Sequence, residues 1–265
     1  MTTILQLSDT HLSRAGAVVS RKPNTHEAFV RLVQRIQEVT PQIGPIDAIV
    51  VSGDISDDGS AESYAAFRLL TAALEAPVFV IPGNHDSRDQ MRAAFTSDGY
   101  LPAAGKLNWR RQIGDIKMIG LDTLIEGEGG GEVDTDTLEF LTSSLAEAGA
   151  TPVLLALHHP PFRTGIRFMD RIGLAGAERI AAILASHQGP IRVVCGHIHC
   201  MMIAEVGGRI ALSGPSPASS FALDFRPDAP PGFMTAPDGF MVHVWRSGFT
   251  SARVGISGGD GPFPF

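Results

Sequence analysis

The hydrophobic pattern alternates between short, continuously apolar runs and longer amphipathic segments. The apolar runs cover residues 3–8, 48–52, 78–81, 153–157 and 191–195, and runs of this kind are typical of buried strands in parallel sheets. The amphipathic segments, in which apolar residues recur at the helical period, include residues 25–39, 60–74, 134–148 and 175–186. This alternation of strand and helix predicts an α/β fold.

The C-terminal third has a different pattern. Strand-like stretches follow at residues 202–206, 209–212, 240–245 and 250–254, and the Gly114-Asp115 pair earlier in the chain predicts a hairpin. Residues 225–239 are rich in proline and are predicted to be irregular. We expect one domain over residues 1–265, in which the region of about 225–265 is a candidate cap over the site or a dimer contact.

Composition narrows the class of protein. The 265 residues carry a net charge of −7, which argues against a nucleic-acid polymer or an anionic membrane as partner. Two cysteines are too few for a disulfide framework. The start of the sequence lacks a basic leader, and no apolar run approaches the ~20 residues of a membrane-spanning helix. We therefore expect a cytoplasmic protein, and the sequence leaves open whether it forms a homo-oligomer.

Polar side chains follow the ends of the predicted strands in five segments. These segments are Asp9-Thr10-His11, Gly53-Asp54, Gly83-Asn84-His85-Asp86, His158-His159 and Gly196-His197-Ile198-His199, and they hold six of the nine histidines. Any one of them alone is more often an ordinary loop than a metal site. Strand ends on one edge of an α/β sheet converge, and Asp, Asn and His suit cations such as Mn, Fe and Zn. Together the segments offer enough donors to predict a site for two metal ions.

The five segments form the motif set D-x-H, G-D-x-x-D-x-G, G-N-H-D, H-H and G-H-x-H, which resembles the calcineurin-like metallophosphoesterases. The resemblance implies a four-layer αββα sandwich of two mixed β-sheets flanked by helices, with a dinuclear centre at the C-terminal ends of the strands. It implies seven ligands in two sets that share one carboxylate: Asp9, His11 and His199 for the first ion, Asn84, His158 and His197 for the second, and Asp54 for both. It also implies that His85 faces the leaving group and that Asp57 orients His85.

Charge counting agrees with this assignment. Two divalent ions, the carboxylates of Asp9 and Asp54 and a bridging hydroxide leave the centre at about +1, which matches a monoanionic phosphodiester. We therefore expect hydrolysis of small phosphodiesters by in-line attack of a metal-bridging hydroxide. The metals are expected to be Mn, Fe, Zn or Co.

Within the family, the short chain resembles the bacterial class III cyclic-nucleotide phosphodiesterases, whose close relatives prefer glycerophosphodiesters or small alkyl and aryl diesters. Members often carry a His-Gln pair after a proline beyond G-H-x-H. Here Pro215 is followed by Ser216-Pro217-Ala218-Ser219-Ser220, with Ser219 in place of the histidine, which argues against cyclic AMP in particular. A phosphomonoesterase and, last, a non-catalytic scaffold are the alternatives.

Other residues near the motifs have two interpretations each. His159 is a candidate substrate contact, or it points away from the metals. Asp86 is a candidate cap for the helix that follows it. The phenylalanines at 221, 225 and 233 would either pack in the core or form the floor of a base pocket.

Overall fold

The computed structural model describes residues 1–14, 24–259 and 263. The helices are α1 Thr25–Ile43, α2 Ala61–Thr71, α3 Arg88–Ala94, α4 Thr135–Ala148, α5 Arg167–Arg171 and α6 Ala177–Ser186, with a 3₁₀ turn at Thr96–Asp98. The strands are β1 Thr2–Leu7, β2 Ala48–Val51, β3 Val78–Val80, β4 Trp109–Ile113, β5 Ile116–Leu121, β6 Gly131–Glu132, β7 Val153–Leu157, β8 Leu174–Ala175, β9 Ile191–Cys195, β10 Ile203–Val206, β11 Arg209–Ser213, β12 Ser220–Phe221, β13 Phe233–Met234, β14 Phe240–Trp245 and β15 Phe249–Val254.

Two mixed sheets form the centre of the molecule. The first sheet has the order β15-β14-β1-β2-β3, and the second has the order β10-β11-β9-β7-β5-β4. Strands β1, β2 and β3 are parallel, as are β5, β7, β9 and β11, while β14, β15, β10 and β4 are antiparallel to their neighbours. The parallel strands therefore end at one edge of each sheet.

The side chains of β7 show how the layers are built. Leu154 and Ala156 pack in the core that holds the two sheets together, whereas Val153, Leu155 and Leu157 pack in the core under α4 and α6. Successive residues of a strand point to opposite faces, so a strand between two layers must be apolar throughout. Helix α1 covers the outer face of the first sheet. The predicted four-layer sandwich is confirmed.

Predicted element boundaries differ from the structure in three helices. Helix α1 begins at Thr25, as predicted, but continues beyond residue 39 to Ile43, because its last turn is partly exposed and so leaves no periodic signal. Helix α2 ends at Thr71, earlier than expected. Helix α6 starts only at Ala177, because Leu174–Ala175 pairs with β6 as β8 and Gly176 follows with a left-handed backbone.

The C-terminal region contributes to both the sheet and the site. Strands β14 and β15 extend the first sheet, and β14 pairs with β1. The proline-rich stretch, expected to be irregular, contains β13, which forms a short hairpin with β12. Residues 260–262, 264 and 265 lie outside the described part of the chain, and so do residues 15–23. Within the described ranges, no helix has the length and apolarity needed to cross a membrane.

Candidate metal centre

The backbone is strained where the candidate ligands lie. Among the described residues, those other than glycine with a positive φ are all candidate ligands: Asp9, His11, Asp54, His197 and His199. Such a conformation costs an L-residue on the order of 1–2 kcal/mol. The fold accepts this strain at the strand ends, where it turns several donor side chains toward one point.

Glycines give the loops the room to approach one another. A Cβ at Gly83 would lie 2.2 Å from Asp54 Oδ1, and a Cβ at Gly196 would lie 2.3 Å from Ser8 Oγ and 2.9 Å from Asp9 Oδ2. A Cβ atom does not lie this close to a non-bonded atom in real structures, so neither position accepts a larger residue without moving a candidate ligand loop. The glycines of the G-N-H-D and G-H-x-H segments are therefore required by packing.

One group of donor atoms contains Asp9, His11, Asp54 and His199. The Nε2 atoms of His11 and His199 are 3.1 Å apart. Asp54 Oδ2 lies 3.5 Å from His11 Nε2, and Asp9 Oδ1 lies 3.5 Å from His199 Nε2. These four side chains, all buried, present one ligand atom each within 4.8 Å of one another.

A second group surrounds Asn84. Its Oδ1 is 2.9 Å from His197 Nδ1 and 3.2 Å from His158 Nε2. Asp54 Oδ2 is 3.3 Å from His158 Nε2, so the same carboxylate oxygen faces both groups. The other oxygen, Oδ1, accepts a hydrogen bond from the backbone N–H of His85 at 2.9 Å. Asp54 therefore lies where a carboxylate shared by two ions would have to be.

Each candidate histidine has its other ring nitrogen engaged by the protein. The contacts are His158 Nδ1 to Ser52 O at 2.8 Å, His197 Nε2 to Ile172 O at 3.0 Å, His11 Nδ1 to Asp57 Oδ1 at 3.1 Å and His199 Nδ1 to Ser219 Oγ at 3.1 Å. The carbonyl and carboxylate partners of His158, His197 and His11 can only accept, so in these three rings the proton sits on the outer nitrogen and the lone pair of the neutral ring faces inward. Outer contacts of this type orient metal ligands in proteins.

The electrostatics of the cluster also fit bound cations. Asp9 and Asp54 are buried, and among the described residues their ion-pair partners are histidines alone. Burial raises the pKa of Asp9 to about 6. Burial lowers the pKa of His158, but the charge of Asp54 outweighs this and raises it to about 9. Two buried carboxylates thus attract positive charge.

The pKa of His197 points the same way. Burial lowers it to about 3, so this ring is neutral at pH 7. Because its Nε2–H donates to Ile172, its Nδ1 lone pair faces Asn84 Oδ1, which is another acceptor. A cation between the two atoms would satisfy both, and the donor set therefore fits metal ions.

His85 lies beside the cluster and is less buried. Its Nδ1–H donates to the backbone carbonyl of Asp57 at 3.0 Å, and Nδ1 is 3.6 Å from Asp57 Oδ1. The Asp57 carboxylate is closer to His11, at 3.1 Å. The backbone of Asp57 thus holds His85, while its side chain holds His11.

His159 lies behind His197. It is fully buried, its Nδ1 contacts Thr123 Oγ1 at 2.8 Å, and its ring centroid is 4.7 Å from that of His197. Burial lowers its pKa well below the ordinary value. His159 is not among the described residues that line the cleft, which does not favour direct contact with a substrate.

Asp86 does not cap α3; the cap is Ser87, whose side chain accepts from Gln90 N–H. The Asp86 carboxylate instead accepts from the backbone N–H groups of Ile55, Ser56 and Gly83 and from the hydroxyl of Tyr64. It thereby joins the loop that carries Asp54 to the loop that carries Asn84 and His85. The expectation of a helix cap was wrong because Ser87, one position later, has the extended backbone that a cap needs.

The cluster forms the floor of an open cleft of about 310 Å³. Its lining divides into a polar floor, which includes Asp54, Asn84 and His85, and a wall that is largely apolar. The wall includes Phe168, Phe221 and Phe233. A concave site of this volume beside convergent polar groups is typical of a small-molecule site.

Comparison with known proteins agrees with this geometry. The sequence profile of the calcineurin-like phosphoesterases matches residues 2–201. This chain belongs to the calcineurin-like phosphoesterase family. Membership in this family and the His/Asp clusters indicate divalent metal ions at the centre.

Two relatives show how far the similarity extends. The chain is 32% identical over 265 residues to a probable glycerophosphodiester phosphodiesterase GpdQ of Arcobacter nitrofigilis, covering 99% of this chain and 96% of that protein. It is 32% identical over 220 residues to the 3',5'-cyclic adenosine monophosphate phosphodiesterase CpdA of Pseudomonas aeruginosa, covering 83% of this chain and 77% of that protein.

A solved structure supports the fold. A dimetal phosphatase from Danio rerio superposes with a TM-score of 0.67 at 14% identity, covering 97% of this chain and 96% of that chain. At this identity the likeness concerns the calcineurin-like fold alone.

Some site residues were not predicted from the sequence. Ser219 contacts His199, Ser52 and Ile172 accept from ligand histidines through their carbonyls, and Asp86 joins two loops. Backbone carbonyls leave no signal in a sequence. Ser219 stands where relatives often carry a histidine, but only the fold shows that it contacts the ring of His199.

Proposed function

We propose that this protein is a divalent-metal-dependent hydrolase of small phosphodiesters. The observation that carries the proposal is the division of seven donors into two groups that share Asp54 Oδ2, beside His85 and at the floor of a cleft. Two relatives that are 32% identical are named as phosphodiesterases, which supports the same reaction.

The two groups define the proposed ligand sets: Asp9, His11 and His199 for one ion, Asn84, His158 and His197 for the other, and Asp54 for both. When bound, paired divalent ions lower the pKa of a water molecule and stabilise charge on phosphoryl oxygens. Imidazole, amide and carboxylate donors suit Mn, Fe, Zn or Co. We propose that the metals bound in the cell are among these four.

Charge favours a diester over a monoester. Two divalent ions, the carboxylates of Asp9 and Asp54 and a bound hydroxide would together carry a net charge of about +1, because the remaining donors are neutral. A monoanionic diester balances this charge, whereas a dianionic monoester or product phosphate carries more negative charge, would bind more tightly and would be released more slowly. The expected order is therefore faster turnover of diesters.

His85 is proposed to serve the leaving group. Its Nδ1–H is held by the Asp57 carbonyl, so in the imidazolium form Nε2–H is the proton available for transfer. The side chain is 42% exposed, which places it at the cleft surface and not inside the metal cluster. Asp57 acts on both rings, through its backbone on His85 and through its carboxylate on His11. His159 supports His197 from behind.

The proposed substrate is a small molecule. A net charge of −7 disfavours nucleic-acid polymers and anionic membranes as partners. We also propose that the protein is cytoplasmic. The chain is proposed to act on a soluble diester, and the names of the two relatives make glycerophosphodiesters and cyclic AMP the first compounds to assay.

The test is a substrate panel with added Mn²⁺. Bis-p-nitrophenyl phosphate, cyclic AMP and glycerophosphocholine are compared with p-nitrophenyl phosphate, with the Asp54→Ala variant and a chelated sample as controls. We expect a higher kcat/KM for bis-p-nitrophenyl phosphate than for p-nitrophenyl phosphate, and inhibition by inorganic phosphate. A higher kcat/KM for the monoester would identify a phosphomonoesterase, and no metal-dependent hydrolysis at all would leave a scaffold.

A further inference from the structure

An aromatic wall stands beside the metal centre. It consists of Phe168 on α5, Phe221 on β12 and Phe233 on β13, and all three line the cleft. Phe221 and Phe233 are direct partners across the β12–β13 hairpin, so both side chains lie on the same face of it. We use the term aromatic wall for these three residues.

The wall adjoins the candidate ligands. The ring centroid of Phe221 is 5.1 Å from that of His199 and 6.3 Å from that of Phe168. Phe233 keeps 39% of its surface exposed, at the open side of the cleft. A group attached to a phosphate at the metal centre could therefore lie against these rings.

The wall is held in place by the surrounding chain. Arg167 of α5 donates a hydrogen bond to the carbonyl of Pro227 in the hairpin loop, which ties the two aromatic elements together. The Arg171 guanidinium lies 5.8 Å from the ring centroid of Phe168. A surface held in this way loses little freedom when a ligand binds, and preorganisation of this kind favours affinity.

The wall lacks free polar groups. Apart from the polar floor, the hydroxyl-bearing residues among the described lining are Thr25 and Ser219, and Ser219 Oγ is already in contact with His199 Nδ1. A polyhydroxylated group such as glycerol would give up water here for few hydrogen bonds, which is unfavourable. A flat aromatic ring would cover the phenylalanines with a face that makes few hydrogen bonds to water.

We infer that the aromatic wall binds a planar aromatic ring carried by the phosphodiester, an aryl group or a nucleobase, and that glycerophosphodiesters are the poorer ligands. The inference rests on the proposed function. The cleft of about 310 Å³ has room for this, since roughly 150 Å³ holds a benzene molecule. Phe233 is the residue that sets the preference, because it can be changed without touching a candidate ligand.

The test measures binding to the Mn²⁺-loaded protein by calorimetry. The probes are phenyl phosphate, adenosine 5'-monophosphate and glycerol 3-phosphate, which share a dianionic phosphate and differ in the attached group. In Phe233→Ser we expect phenyl phosphate to bind about tenfold more weakly, with glycerol 3-phosphate changed by less than about twofold. Met234→Ser is the matched control, because Met234 is the next residue of β13 and does not line the cleft.

The results separate the claims. Whichever of phenyl phosphate and adenosine 5'-monophosphate binds the wild type more tightly identifies the ring as an aryl group or a nucleobase. The loss of affinity in Phe233→Ser must appear for that ligand. Equal affinities of the wild type for the two aromatic probes and glycerol 3-phosphate, or equal losses for all three in Phe233→Ser, would overturn the inference. The proposed function is tested separately, by the turnover of diesters in the wild type. That measurement does not depend on these binding constants.

Discussion

The substitution Asp86→Asn tests the contact that joins the two loops of the candidate metal centre. Oδ1 of Asp86 accepts from Ser56 N–H at 3.0 Å and from the Tyr64 hydroxyl at 2.9 Å. Oδ2 accepts from Gly83 N–H at 2.9 Å and from Ile55 N–H at 3.2 Å. An asparagine is nearly isosteric with the aspartate but has only one acceptor oxygen.

The cost follows from these four contacts. In the better orientation the amide keeps its oxygen toward Gly83 and Ile55 and turns its NH₂ toward Ser56 and Tyr64. The Tyr64 hydroxyl can rotate and accept, but the buried N–H of Ser56 is left without an acceptor, at about 1–3 kcal/mol. The two remaining bonds lose their charge assistance, at roughly 1 kcal/mol each. Burial of the charged carboxylate is unfavourable and raises the pKa of Asp86. The neutral asparagine avoids this cost, which offsets part of the loss of stability. The net expectation is a loss of about 3 kcal/mol.

Equilibrium urea denaturation of the metal-free protein measures this loss directly. The matched control is Asp89→Asn in the adjoining helix, since the side chain of Asp89 is 90% exposed and its removal should change stability by less than about 0.5 kcal/mol. A stability of Asp86→Asn within about 1 kcal/mol of the wild type would refute the argument that four buried donors depend on this carboxylate.

Three further predictions concern the metals, the leaving group and pH. Asp54→Ala should lose both ions and Asn84→Ala mainly one, because only Asp54 faces both groups; elemental analysis showing full occupancy in Asp54→Ala would contradict this. His85→Ala should keep its metals but lose at least about tenfold more rate on an alkyl than on a p-nitrophenyl leaving group, and equal losses would remove the acid role. Burial and Arg192 lower the pKa of His243 from 6.5 to about 3, so the unfolded chain gains a proton in that range that the folded protein excludes. The contribution of His243 to stability should therefore be complete above pH 6.5 and decrease below it by about 1.4 kcal/mol per pH unit, and the stability of His243→Gln should fall less steeply with decreasing pH by that amount.

Much of the fold follows from local patterns. The continuously apolar strands β7 and β9 were predicted at their observed bounds, because a strand between two layers must be apolar on both faces. The observed helix caps Asn24, Ser60 and Asp134 lie within one residue of the starts of the predicted amphipathic segments, since capping depends on a side chain and the backbone N–H groups of the next turn. The convergence of the ligand segments also follows, because parallel strands end at a common edge.

The sequence alone therefore determined which side chains could form a metal centre, and the tertiary structure decided how each of them is held. The backbone N–H of His197 meets the Asp9 carboxylate although 188 positions separate them, and no local pattern reports such a contact. Whether Asp57 turns its carboxylate to His11 or His85, whether His159 reaches the cleft, and which face carries Phe221 and Phe233 depend on how the two sheets and the β12–β13 hairpin pack. The physical reason is that strand and helix propensities act over a few residues, whereas the direction of a buried side chain is set by neighbours from distant parts of the chain.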